Sequence, residues 1–160
     1  MTDLAAVLRR LELEELYSGY AHCLDADALE RWPDFFTADC FYRVTSAENY
    51  EAGLPLGLIY ATSRNMLKDR VSALREANIY EPQRYCHLVS AIRIVGETAG
   101  GLDVQTNFLV VRTMQEGDMT IFAVGRYVDR VVRDGEEWKF ARKEVVLDSR
   151  RIDTLLAIPL

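Results

Sequence analysis

Residues 120–147 read TIFAVGRYVDRVVRDGEEWKFARKEVVL. On either side of Asp134-Gly135 apolar and polar side chains alternate, the period-two signature of a half-buried strand. Glycine accepts the positive φ that a primed two-residue turn needs, so Asp134-Gly135 predicts a tight hairpin between strands Thr120–Val132 and Trp138–Leu147. The same alternation runs upstream through Leu88–Val95 and Val104–Met114, with turn chemistry at Gly100-Gly101 and at Glu116-Gly117-Asp118. Four long strands joined by short turns describe an antiparallel meander.

Upstream of Tyr80 the period changes. Leu13, Leu16, Tyr17, Tyr20 and Leu24 recur at spacings of three and four, one apolar stripe over the second half of a long N-terminal helix. Asp25 to Asp27 breaks it. A short helix-like segment follows through Leu29, Trp32, Phe35 and Phe36, with Pro33 favouring a turn over a continued helix. Cys40 to Thr45 reads as a first strand, and Gly53 to Gly57 as an interruption. Ser63 is a plausible N-cap for a further helix buried along Met66, Leu67, Val71 and Leu74. Helices first and a meander after predict an α+β fold, a cystatin-like cone whose long curved antiparallel sheet wraps around N-terminal helices. A chain of 160 residues, with no repeat, low-complexity tract or linker, fits one domain over 1–160.

Composition narrows the function classes. Apolar residues make up 49% and charged residues 28%, an ordinary globular balance. A net charge of −6 disfavours a surface that tracks phosphates, so nucleic acid is not an expected partner. No apolar run reaches membrane-spanning length and no signal pattern opens the chain. Cys23, Cys40 and Cys86 lack framework spacing, which suits a reducing cytoplasm.

A metal or catalytic centre is hard to assemble from these residues. A Rieske cluster needs two Cys and two His at close paired spacings. Here the only close pair is Cys86-His87, whose side chains point to opposite faces of a strand. A mononuclear iron site would require His22, Asp25 and His87 together, every histidine in the chain. The blander expectation places His22 on a helix edge and gives His87 a hydrogen bond where its strand begins. Asp25, Asp39, Tyr42, His87, Tyr127 and Asp129 are compatible with acid–base chemistry in a cone's mouth, yet they form no recognisable spacing. Asp129, alternating with Tyr127 on one face, is equally compatible with pairing to an arginine such as Arg142 on the next strand. No catalytic, cofactor-binding or metal-binding residue is assigned.

Several strings, taken together and in order, resemble the small (beta) subunits of Rieske-type aromatic-ring hydroxylating dioxygenases. Tyr20 to Asp25 followed by Trp32-Pro33-Asp34-Phe35-Phe36-Thr37-x-Asp39-Cys40-x-Tyr42 is similar to their N-terminal signature. Met66-Leu67-x-Asp69-Arg70-x-x-x-Leu74-Arg75 resembles a second helix, and Tyr80 to His87 the lead into the sheet. Gly125-Arg126-Tyr127-x-Asp129, Trp138 to Asp148 and the tail Asp153 to Leu160 complete the set. Within the family the chain looks most like subunits of enzymes acting on aromatic carboxylates, such as terephthalate dioxygenase or salicylate 5-hydroxylase.

The resemblance implies a structural, iron-free subunit. It would sit in a hexamer of three large and three small chains, the large chain carrying the Rieske 2Fe–2S cluster and mononuclear Fe(II). A reductase, sometimes with a ferredoxin, would supply electrons from NAD(P)H. Function then resides in contacts. Aromatic and arginine side chains anchor interfaces, so Tyr80, Arg84 and Tyr85 are candidates, Pro82 arguing against a regular strand there. The apolar tail, with Ile152, Leu155, Leu156, Ile158 and Leu160, is expected to dock on a partner or on its own sheet. The competing readings are a stand-alone cone-fold dehydratase or isomerase and a small-ligand binding domain of the same fold.

Overall fold

The computed structural model describes residues 3–77, 80–152 and 156–160. Helix α1 spans Leu4–Asp25, and the Asp3 carboxylate accepts the Ala5 N–H at 3.0 Å to cap its first turn. Only its second half is buried, along Leu13, Tyr17, Tyr20 and Leu24, as the stripe predicts. The chain then turns through a 3₁₀ segment, Leu29–Phe35, that contains Pro33. Strand β1 (Phe36–Ser46), a short helix α2 (Ala47–Glu51) and strand β2 (Ile59–Ala61) follow. Helix α3 (Arg64–Glu76) is capped by Ser63, whose hydroxyl accepts the Met66 N–H, and buries Leu67, Val71 and Leu74. Met66 itself stays outside, its sulfur accepting from Thr62.

Strands β3 (Gln83–Thr98), β4 (Gly101–Met114), β5 (Met119–Asp134) and β6 (Glu137–Leu147) form the expected meander. The sheet has six strands in the order β2-β1-β6-β5-β4-β3 and is not closed. One pairing departs from the antiparallel expectation: β1 runs parallel to β6, from Phe41 opposite Arg142 to Ser46 opposite Leu147. Parallel neighbours require a long crossover, and here it is everything between β1 and β6.

Two local features bend the sheet around α1. A Cβ on Gly125 would lie 2.0 Å from the Val146 carbonyl oxygen, so only glycine lets β5 approach β6 this closely. On the edge strand β3 the register slips between Ser90 and Arg93, where Ala91 takes a φ of 55°. Such a bulge twists the strand and interrupts an edge that would otherwise accept a further strand. The concave face holds an aromatic core in which Tyr20, Trp32, Phe36, Tyr42, Tyr127 and Phe140 pack largely edge to face.

Pro82 does not keep its neighbours out of the sheet, because β3 begins immediately after it, at Gln83. Alternation then sends Arg84 outward and Tyr85 inward, where Tyr85 packs 5.0 Å from the Phe122 ring. Tyr85, considered above as an interface anchor, is therefore buried within its own chain.

Candidate functional site

Three polar arrangements lie between α1 and the concave face. At its rim, Asp25 ends α1 and faces His87 on β3. The carboxylate accepts the His87 backbone N–H at 2.9 Å and lies 2.6 Å from Nδ1. That contact makes Nδ1 the proton-bearing nitrogen and ties the helix end to the sheet. The pair borders a cavity of about 480 Å³ that Tyr17, Ser18, His22, Val89 and Ile92 also line. The His87 ring itself is fully covered, whereas His22 is exposed.

Deeper inside, Asp129 and Lys143 are directly opposite on β5 and β6, with Nζ 2.9 Å from Oδ2. Both side chains are fully buried. The Tyr17 hydroxyl donates to the same carboxylate oxygen at 2.5 Å, and Nζ sits 3.6 Å from the Tyr127 ring centre and 4.2 Å from that of Phe140. Burial pushes the Asp129 carboxyl above its ordinary range, opposed by Lys143 and Tyr17. Burial likewise pulls the Lys143 ammonium down to about 8, with Asp129 opposing the fall. At neutral pH the two form an ion pair enclosed by aromatic rings.

Asp129 does not meet Arg142, and the reason is one residue of register. Counted back from the Asp134-Gly135 turn, Asp129 would face Arg142. Pairing is regular as far as Val131 opposite Phe140, but the next pair is Arg130 opposite Arg142. Ala141 is thus a bulge, and Lys143 moves opposite Asp129. Arg142 is left on the convex face, where it holds Glu144 at 2.5 Å, and Arg43 grips the same carboxylate.

The third arrangement involves the tail. Tyr20 and Tyr42 both donate to the Leu160 carbonyl oxygen, at 2.8 and 2.9 Å, and the Trp32 indole N–H donates to the Tyr20 hydroxyl at 3.2 Å. Arg70 on α3 donates to the Leu156 carbonyl at 2.8 Å. Leu156, Ala157, Ile158 and Leu160 are buried and Ile152 is half-buried, so the tail covers its own core. Leu155 lies outside the described residues. Tyr80 packs against the same core, while Arg84 is exposed.

Of the acid–base candidates, the structure brings Asp25 to His87 and places Tyr127 and Asp129 around Lys143. Tyr42 holds the tail, and Asp39 is exposed. Among the described residues no group of three or more His, Cys, Asp or Glu could hold a metal ion. Asp25 is turned to His87, leaving His22 apart from the pair. Sequence reasoning missed Lys143, which looks like any surface lysine in a strand until the bulge at Ala141 turns it inward. No helix is long and apolar enough to cross a membrane, again among the described residues.

Comparison with known proteins adds three likenesses and a family. The family described as "Ring hydroxylating beta subunit" matches residues 20–154. The anthranilate 1,2-dioxygenase small subunit of Burkholderia cepacia is 42% identical over 149 residues, covering 93% of this chain and 92% of that one. The beta 1 subunit of the terminal oxygenase component of terephthalate 1,2-dioxygenase, from Comamonas sp, is 40% identical over 96% of this chain and 100% of its own length. A crystal structure from Novosphingobium aromaticivorans, of the beta subunit of a protein assigned as an aromatic-ring-hydroxylating dioxygenase, superposes with a TM-score of 0.89. It is 35% identical and covers 98% of this chain and 99% of that one.

Proposed function

From the premise that this chain belongs to the ring hydroxylating beta subunit family, we propose that it is the non-catalytic small subunit of a multicomponent aromatic-ring hydroxylating dioxygenase. Its partner on this reading is a large subunit bearing the Rieske 2Fe–2S cluster and mononuclear Fe(II), three of each chain forming a cytoplasmic hexamer. A reductase, with or without a ferredoxin, delivers electrons to the large subunit. Relatives named for anthranilate and terephthalate favour an aromatic carboxylate as the substrate of the whole enzyme.

The observation that carries the reading is the filled centre of the cone, the cavity beside Asp25 and His87 lying at its rim. Cone enzymes keep a substrate chamber open; here the tail occupies the concave face and Leu160 uses the hydroxyls of Tyr20 and Tyr42. The buried charges of Asp129 and Lys143 are spent on each other. What this chain's residues do is hold α1 and the tail on the sheet, giving a rigid body for assembly.

The test is co-expression with the product of the adjoining gene, purification through a tag on this chain alone, and an absorption spectrum. The expected result is a brown complex containing a larger iron-bearing subunit. A colourless homodimer that turns over a cyclic hydroxyketone would overturn the proposal.

A further inference from the structure

Both histidines of the chain line the rim cavity of about 480 Å³ between α1 and β3. One wall of it is the free edge of β3, the last strand of the sheet. His87 gives its backbone N–H to Asp25 rather than to β4. In an antiparallel ladder the C=O of such a residue turns the same way, as do both groups of the residue two positions on. The carbonyls of His87 and Val89 therefore face away from β4, along the edge that borders the cavity. Ser18 and Ser90 add hydroxyl oxygens, while Tyr17, Val89 and Ile92 supply apolar wall.

The charge at this end is uncompensated. Nδ1 of His87 faces Asp25, and the opposite nitrogen, Nε2, is buried without a hydrogen-bond partner among the described residues. A second ring proton would leave a buried N–H unpaired, so the imidazole brings Asp25 a hydrogen bond and no cancelling charge. The Asp25 side chain is 25% exposed. Its Oδ2 accepts only the backbone N–H, at 2.9 Å, and keeps lone-pair capacity for a further donor. The other charges of the lining, Arg10 and Glu14, pair with each other at 3.2 Å. Arg10 also stands about 22 Å up the helix from Asp25, too far to neutralise it at physiological salt. His22, exposed on α1, is the remaining titratable side chain.

We infer that the Asp25 end of this cavity binds a small primary ammonium borne on an apolar body, of about the size of benzylamine. The three N–H groups of such a cation match three kinds of acceptor: the Asp25 carboxylate, the edge carbonyls and the serine hydroxyls. Its body lies against Tyr17, Val89 and Ile92. A carboxylate of the same size meets the Asp25 charge and is rejected. The site therefore selects against the class of molecule proposed as substrate of the whole enzyme, and it is independent of the assembly reading.

The test titrates the full chain with benzylammonium chloride and follows the ring signals of its two histidines by NMR. The signals should move and saturate with a Kd of about 1 mM. Benzoate and neutral benzyl alcohol should bind at least about tenfold more weakly. Asp25→Asn still offers His87 an acceptor but removes the charge, and should weaken benzylammonium binding about tenfold. Ser18→Lys leaves Asp25 and His87 untouched and brings an ammonium of the chain's own into the cavity from an exposed helix position. It should abolish binding while thermal unfolding stays unchanged. Leu8→Lys, on the exposed part of α1 outside the cavity, should bind as the unmodified chain does. Failure of benzylammonium to saturate, an equal response to benzoate or benzyl alcohol, or undiminished binding to Ser18→Lys overturns the site. Should Asp25→Asn fail to fold, Ser18→Lys decides alone. None of these outcomes bears on recovery of a large subunit, so the two readings fail separately.

Discussion

Along β5, Tyr127 and Asp129 point to the concave face and are enclosed on every side, whereas Val124 points to the convex face and Ile121 stands almost free. The same sheet thus carries two surfaces of opposite character. The concave one takes in charge, with Asp129 and Lys143 at its centre, yet it is closed by α1 and the tail. The convex one aligns Leu88, Leu109 and Val124 in one row and Cys86, Val111 and Ile121 in the next, and Leu88, Val124 and Ile121 stay exposed among the described residues. Hydrophobicity alone does not separate core from exposed surface. The separation lies in what the rest of the chain brings to each face.

Substitutions on the two faces should therefore fail in different ways. The largest effect belongs to Lys143→Ala. It strands the Asp129 carboxylate in the core, and urea unfolding should show a loss of about 3–5 kcal/mol. Replacing the pair together, by Asp129→Leu with Lys143→Met, should restore most of that loss, since no buried charge is left unpaired. Leu160→Ala opens a cavity beneath the tail, with an expected cost of about 3 kcal/mol. Asp25→Ala removes the acceptor for the His87 backbone N–H and Nδ1 and should cost about 2 kcal/mol. By contrast, Ile121→Ser on the convex face should change stability by no more than about 0.5 kcal/mol, read in the same urea titration.

pH sharpens the same contrast. Burial lowers the folded Lys143 pKa to about 8, below its ordinary 10.5. From about pH 8 towards 10.5 the unfolded chain therefore binds more protons at this position, and this residue's contribution favours folding as pH rises. Stability of the unmodified chain should accordingly climb more steeply over that range than that of Lys143→Met, measured by denaturant unfolding at stepped pH.

Much of the architecture is legible in the sequence because its causes are local. Asp134-Gly135, the alternation around it, the stripe from Leu13 to Leu24 and the Ser63 cap each fix their element within a few residues. The parallel pairing of β1 with β6 has no such local cause. It joins residues about a hundred positions apart, and the β1 strand reads the same whichever neighbour it takes. The site was harder still. Asp25 and His87 are visible as residue types, but their meeting depends on α1 lying across β3. The partner of Asp129 turns on the single bulge at Ala141, which no residue near it announces. The inward turn of Tyr85 follows from a strand that starts directly after Pro82. The chain's kinship was legible because it is carried by ordered strings, which survive ignorance of any one contact.

The hold of Tyr20 and Tyr42 on Leu160 has a consequence for biosynthesis. Tyr20 is synthesised 140 positions before the residue whose carbonyl it binds. The central aromatic cluster thus cannot close until Leu160 has left the ribosome, and before then its tyrosines lack the tail that covers them. Closure of this core is therefore a late, long-range step of folding, and the nascent form that precedes it is the one in need of a chaperone's shelter.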